Sequence, residues 1–200
     1  MTGLILKDIY TMLKQTKLFF LIAILMGFLQ NEFLLSYIIC YASMLPIAAL
    51  GYDERAKWNK FANMLPYTIN ELVGCKYMVG YLSVGTAAVI TACIKGFYTL
   101  TGNAAFSLEY WIVLLLTVCA ALIIQAISLP FMFWLGVERG RLLFVLLIIM
   151  IAVSATTILD TLNFSQIQTG LPILISAVLA VTIIINLISF CLSRIAYQHS

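Results

Sequence analysis

Residues 53–76 of the chain, DERAKWNKFANMLPYTINELVGCK, form the one long polar segment of an otherwise apolar sequence. The segment contains four of the eleven basic residues and three of the eight acidic residues. Apolar runs adjoin it on both sides, and basic residues collect where spans meet the cytoplasm. We therefore expect this segment to project from a membrane-embedded bundle into water, where a soluble partner can reach it.

The composition of the whole chain indicates a membrane protein. Of its 200 residues, 64% are hydrophobic and 10% are charged, and the mean hydropathy is +1.08. Soluble domains carry about 25% charged residues. A helix needs ~20 apolar residues to cross ~30 Å of hydrocarbon, and such runs recur here, whereas the alternating segments typical of a β-barrel do not. The predicted fold class is therefore all-α, a single polytopic membrane domain without a separate soluble domain.

The distribution of lysine and arginine predicts the topology, because cytoplasmic loops are enriched in both. The apolar run 18–29 is short enough to be a re-entrant hairpin by itself. Basic residues precede the run 18–29, and others follow the run 33–52. If both groups of basic residues are cytoplasmic, the chain between them crosses the membrane an even number of times. We predict six spans, with both termini in the cytoplasm and Lys95 as the single basic residue outside. The spans are 18–30, 33–52, 77–100, 110–134, 142–159 and 171–192.

The first residues, 3–17, predict an amphipathic helix. Apolar residues recur at helical spacing, and charged residues, among them Lys7 and Asp8, occupy much of the remaining surface. This pattern is typical of a helix lying in the membrane interface with its lysines towards the headgroups. The alternative is that these residues are only the polar start of the first span. The apolar residues are Ile5, Ile9, Met12 and Leu13.

Within residues 53–76, the pattern predicts two short helices separated by a break at Leu65-Pro66. Trp58, Phe61, Met64 and Leu65 share one face of the first helix, and the residue before a proline disfavours helix. The second helix begins at a Thr68-x-x-Glu71 capping box. The segment is either an amphipathic hairpin resting on lipid or a docking element for a cytosolic protein.

A similar arrangement occurs twice at predicted cytoplasmic span ends. Leu45-Pro46 leads to Glu54-Arg55, and Leu129-Pro130 leads to Glu138-Arg139. If the two are related, they mark kinked helices that deliver two cytoplasmic loops to one partner.

The sequence contains no motif for catalysis or nucleotide binding. No G-x-x-x-x-G-K-[ST], H-E-x-x-H or G-x-S-x-G occurs. The five cysteines are scattered without C-x-x-C spacing and are interpreted as small apolar residues. Gln125 and Asn186 lie within predicted spans, where they either line a path or, as we favour, bond to another helix. We expect no cofactor on this chain, and its net charge of +3 requires no nucleic acid.

The chain resembles the membrane permeases of type-2 ATP-binding-cassette (ABC) exporters, in particular the small bacterial branch that exports antimicrobial peptides and phenol-soluble modulins. The residues that carry the resemblance are Leu6-Lys7-Asp8, Asp53-Glu54-Arg55, Trp58, Leu65-Pro66 and Lys76-Tyr77.

The resemblance implies a role for each cytoplasmic segment. Residues 3–17 would form an interfacial connecting helix, and residues 53–76 would hold a coupling helix that docks on a separate cytosolic ATPase subunit. ATP and Mg²⁺ would bind to that subunit, and two permease chains, identical or different, would form the transporter with two ATPases. The residues expected at the docking surface are Asp53, Glu54, Arg55, Trp58, Phe61, Leu65, Glu138 and Arg139.

The predicted function is that of a multi-pass permease in the plasma membrane, which exports a hydrophobic or amphipathic substrate such as a peptide. Two alternatives stay open. One is a six-span substrate-binding subunit of a vitamin-uptake system, which would need a polar pocket near its outer face. The other is an immunity or structural membrane protein without transport activity. The long charged loop favours the exporter.

Overall fold

The computed structural model describes residues 2–15, 38–62, 64, 67–101, 108–137, 139–140, 142, 145–146 and 171–198. In these residues the chain forms helices and turns and no strand, which confirms the predicted all-α class for this part of the protein. The helices are α1 (Thr2–Gln15), α2 (Leu45–Arg55), α3 (Trp58–Ala62), α4 (Ile69–Leu100), α5 (Leu108–Leu135) and α6 (Leu171–Gln198).

Three of these helices, α4, α5 and α6, are long and apolar enough to cross a membrane. They correspond to the spans predicted at 77–100, 110–134 and 171–192. The span predicted at 33–52 is described from residue 38 onward. The span 18–30 and nearly all of the span 142–159 lie outside the described residues, so the count of six stays a prediction.

Helix α4 begins earlier than the predicted span does. It has 32 residues and is therefore about 48 Å long, which exceeds the ~30 Å of the hydrocarbon core. The predicted capping box is confirmed: Glu71 N–H donates to the Thr68 hydroxyl at 3.4 Å, and the Glu71 carboxylate accepts from Thr68 N–H at 3.0 Å. Residues 69–76 of the predicted loop thus form the start of α4.

Helices α5 and α6 run parallel. Ser189 of α6 donates to the carbonyl of Ala126 in α5, and further along both helices the rings of Phe133 and Tyr197 lie 5.8 Å apart. From the first contact to the second, the residue number rises by seven in α5 and by eight in α6, so the two helices point in the same direction.

Helix α4 runs antiparallel to α5. The hydroxyl of Tyr110, near the start of α5, donates to the carbonyl of Thr91 at 3.4 Å, whereas Gln125, further along α5, packs against Gly80. The residues before α2 complete this core, because Ile39 and Ala42 are buried against α4 and α5. The start of α4 therefore lies at the same end of the bundle as the ends of α2, α5 and α6. We call this the charged end.

Candidate functional site

Helix α1 packs on the bundle through a face that includes a charge. Leu4, Asp8 and Met12 are buried at intervals of four residues, whereas Leu6 and Tyr10 are exposed. The expectation that Asp8 lies on a polar face is therefore wrong. A carboxylate can be buried only where opposite charges and hydrogen bonds compensate for the lost hydration, and two lysines do so here.

Four charged side chains from three helices form an ion-pair cluster at the charged end: Lys7 and Asp8 of α1, Asp53 of α2 and Lys76 of α4. Lys76 Nζ lies 2.7 Å from Asp8 Oδ2 and 2.5 Å from Asp53 Oδ2. Lys7 Nζ lies 2.8 Å from Asp53 Oδ1 and 3.1 Å from Asp8 Oδ1. Each ammonium thus bridges both carboxylates, and the four formal charges sum to zero.

The cluster is largely shielded from solvent. The side chains of Asp8, Lys76, Asp53 and Lys7 are 2%, 9%, 13% and 26% exposed. Apolar residues surround it, because Leu4, Met12, Leu45, Ala49, Cys75 and Val79 form one buried group there. The adjacent cavity has a volume of only about 20 Å³, which is room for little more than one water molecule. The cluster is therefore a structural contact rather than a ligand pocket.

Two further contacts connect the cluster to its neighbours. Lys7 Nζ lies 4.1 Å from the centre of the Trp58 ring in α3, a cation–π arrangement. The Cys75 thiol donates to Asp8 Oδ2 at 3.5 Å. Through Trp58, the cluster contacts α3 as well as α1, α2 and α4.

Glu54 holds the end of α2 against the chain that follows α5. Its Oε2 accepts a hydrogen bond from Val137 N–H at 2.9 Å, next to Gly136, whose φ of +79° favours glycine. The structure thus places Glu54-Arg55 close to the start of the segment that contains Glu138-Arg139, the second occurrence of the same sequence arrangement. Arg139 is exposed, and Glu138 lies outside the described residues.

The residues of the predicted apolar face in 58–65 differ in their burial. Trp58 is half-buried against the ion-pair cluster, whereas Phe61 and Met64 are 61% and 82% exposed. Leu65 lies outside the described residues. Lys57, with φ of +51°, turns the chain sharply between α2 and α3. Asp53, which is expected at a docking surface, bonds to Lys7 and Lys76 of its own chain. The residues of that expected surface that are exposed are Glu54, Arg55, Phe61 and Arg139.

The two polar residues named within the spans differ in their partners. Asn186 Oδ1 accepts from the Tyr81 hydroxyl of α4 at 3.0 Å, and its Nδ2 donates to the Thr182 carbonyl at 2.9 Å. Gln125 is completely buried against Gly80 of α4, and among the residues that the structure describes neither atom of its amide has a hydrogen-bond partner.

A further polar contact, between α4 and α6, was not predicted from the sequence. The Tyr77 hydroxyl lies 2.5 Å from Ser189 Oγ and 2.8 Å from Ser193 Oγ. Its signal in the sequence is a row of polar residues on α6 at intervals of four, three and four, which places them on one face of a helix. The row consists of Thr182, Asn186, Ser189 and Ser193.

Two apolar grooves open on the sides of the described bundle. One, of about 560 Å³, lies between α5 and α6. The other, of about 420 Å³, lies mainly between α4 and α6, and its wall includes Tyr77, Tyr81 and Asn186. Within the described chain, no three His, Cys, Asp or Glu side chains group as they would around a metal ion.

Comparison with known proteins identifies one family. The family model described as "ABC-2 family transporter protein" matches residues 3–198, which is nearly the whole chain. No curated protein matches the chain, and no solved structure matches it.

Proposed function

Because the chain belongs to the ABC-2 family of transporter proteins and is thus a membrane permease of an ABC transporter, we propose that it exports a hydrophobic or amphipathic substrate, such as a peptide. A separate cytosolic ATPase supplies the energy. Two permease chains and two ATPases form the transporter. The family match favours this function over vitamin uptake and over a protein without transport activity.

The distribution of charge supports a cytoplasmic location for the charged end. Among the basic residues in the described part of the chain, Lys95 alone lies at the opposite end, where its ammonium is 4.7 Å from the Tyr110 ring. Cytoplasmic segments of membrane proteins are enriched in lysine and arginine. With this orientation, α3 and the end of α2 face the compartment that contains ATP.

The docking surface that we propose consists of Arg55, Lys57, Phe61 and Met64. The observation that carries it is the exposure of two large apolar side chains, Phe61 in α3 and Met64 just after it, close in sequence to two exposed basic residues before α3. Exposed apolar patches with a polar rim are typical of protein interaction sites. Trp58 lies behind this surface and connects it to the ion-pair cluster.

The two grooves support a substrate with apolar groups. Both have predominantly apolar walls, and the one between α4 and α6 also presents two tyrosines and an amide. Sites for small ligands commonly combine apolar walls with a few polar groups. The groove walls thus suit an amphipathic molecule better than a strongly charged one.

Co-purification tests the docking surface. We expect the parent chain to retain an ATPase subunit from the cell that encodes both, and Phe61→Asp to lose it, because the charge replaces an apolar contact. Leu100→Asp is the matched control, since Leu100 is 89% exposed at the opposite end of α4, and it should retain the ATPase. Both variants should elute from size-exclusion chromatography as the parent does.

The outcomes separate the two parts of the proposal. Retention of the ATPase by Phe61→Asp would reject the docking surface. Failure of the parent chain to bind any ATPase would reject the function. Trp58→Ala is a less specific variant, because Trp58 also contacts Lys7 and would disturb the ion-pair cluster.

A further inference from the structure

We propose that the ion-pair cluster of Lys7, Asp8, Asp53 and Lys76 is a rigid joint that transmits movement of α3 to the membrane-spanning helices. Its four members would be positioning residues for energy coupling, and they do not contact the substrate or the nucleotide. This inference rests on the proposed function, because it assumes that an ATPase moves α3.

The contacts of the cluster provide the mechanical connection. Lys7 contacts the Trp58 ring at 4.1 Å and Asp53 at 2.8 Å, so it holds the start of α3 to the end of α2. Lys76 contacts Asp53 at 2.5 Å and Asp8 at 2.7 Å, so it holds α2 and α1 to α4. A displacement of α3 therefore reaches α4 through two consecutive lysine–aspartate contacts.

Burial makes this connection rigid. Each of the four groups has two oppositely charged partners, and Asp8 and Lys76 are almost completely inaccessible to water. Separation of a buried pair would leave charges that neither water nor a partner stabilises. We therefore expect the cluster to move as one body during transport rather than to open and close.

Helix α4 can carry this movement across the membrane. Lys76 and Leu100 are 24 residues apart in one continuous helix, a distance of about 36 Å. A tilt imposed at Lys76 must therefore displace Leu100, which is the exposed last residue of α4 at the opposite end.

The test needs variants that remove the joint and retain electroneutrality. Asp8→Asn combined with Lys76→Met removes one pair, preserves the approximate side-chain shapes, and leaves the neutral pair Lys7–Asp53. Lys7→Met combined with Asp53→Asn removes the more exposed pair instead and is the second test. Lys76→Met alone leaves two carboxylates with one ammonium, and we expect it to accumulate poorly.

The experiment measures whether nucleotide at the ATPase changes the opposite end of α4. The reporter is Leu100→Cys in a chain with its five cysteines replaced by serine, purified in complex with the ATPase. The rate of its reaction with a maleimide is compared without nucleotide and after trapping with MgATP and vanadate. In the parent we expect a change of about fivefold, equivalent to about 1 kcal/mol.

In both double variants we expect the ATPase to stay bound and the nucleotide-dependent change at Leu100→Cys to disappear. A purely structural role would lower thermal stability and leave the nucleotide-dependent change intact. An unchanged response in either double variant, or no response in the parent complex, would overturn the joint. Absence of any bound ATPase in the parent would instead overturn the proposed function.

Discussion

Gln125 is completely buried between α4 and α5, with its amide against Gly80, and neither amide atom has a hydrogen-bond partner within the described part of the chain. A buried polar group without a partner costs about 1–3 kcal/mol. The position of Gly80 allows this packing, because a Cβ there would lie 2.0 Å from Gln125 Nε2. In the described residues, close packing against Gly80 therefore accommodates Gln125, and hydrogen bonds of its amide do not.

The unpartnered amide predicts that Gln125→Leu stabilises the protein. Leucine has a similar size and no polar atoms, so we expect a gain of about 1 kcal/mol, measured by thermal unfolding in detergent micelles. Asn186→Leu is the matched control. It removes an amide that bonds to Tyr81 and Thr182, and it should lower the stability. If both substitutions were destabilising to the same extent, Gln125 would have a partner in the folded protein.

Local interactions could be predicted at the scale of single residues, and long-range ones could not. The Thr68–Glu71 capping box was predicted correctly because both partners lie within four consecutive residues. The placement of Asp8 was wrong because its partner Lys76 is 68 residues away in the sequence. Amphipathic spacing indicates which residues share a face of one helix. It does not show that a lysine of another helix neutralises the charge of a buried aspartate.

Polar contacts connect the spanning helices to one another. Most large apolar side chains on α6 are exposed, whereas its polar row faces α4 and α5. In lipid, apolar surface gains little from contact with another helix, so close packing and hydrogen bonds between helices contribute more than they do in water. Tyr77, which bonds to Ser189 and Ser193, is a principal contact between α4 and α6.

This arrangement predicts that Tyr77→Phe weakens the packing of α4 on α6. We expect a loss of about 1 kcal/mol, because the substitution removes the hydroxyl and retains the ring that packs on Phe190. Tyr10→Phe is the matched control, since Tyr10 is exposed on α1, and it should have no effect. Unfolding in mixed micelles measures both, and equal stabilities of the two variants would contradict the assignment.

The boundaries of elements were harder to predict than their existence. The apolar run of residues 77–100 predicts a long helix that starts at Tyr77, after the last charged residue, whereas α4 begins at Ile69. A helix can extend beyond the membrane when its exposed first turn is capped. A hydropathy pattern does not predict such a turn, because its residues are polar. Trp58 and Phe61 are predicted to share one apolar face, but only Trp58 is half-buried, because its ring contacts Lys7 of α1.

At the scale of the whole molecule, the helix directions are consistent with the predicted topology. Helices α5 and α6 run parallel, and one predicted span, 142–159, lies between them in the sequence, as the predicted topology requires. Residues 38–55 approach the charged end, where α1 also lies. The predicted span 18–30 would supply the crossing between them. The parity of the basic residues in the sequence predicts both crossings, and the count of six spans stays a prediction.

The orientation of this arrangement in the membrane can be tested with two reporters in a chain without native cysteines. Lys57→Cys lies beside α3, and Leu100→Cys lies at the opposite end of α4. We expect a membrane-impermeant maleimide to label Leu100→Cys on intact cells and Lys57→Cys only on inverted vesicles, because basic segments stay in the cytoplasm. Labelling of Lys57→Cys from outside would place the docking surface beyond the reach of cytosolic ATP, and no ATPase could then drive the permease through α3.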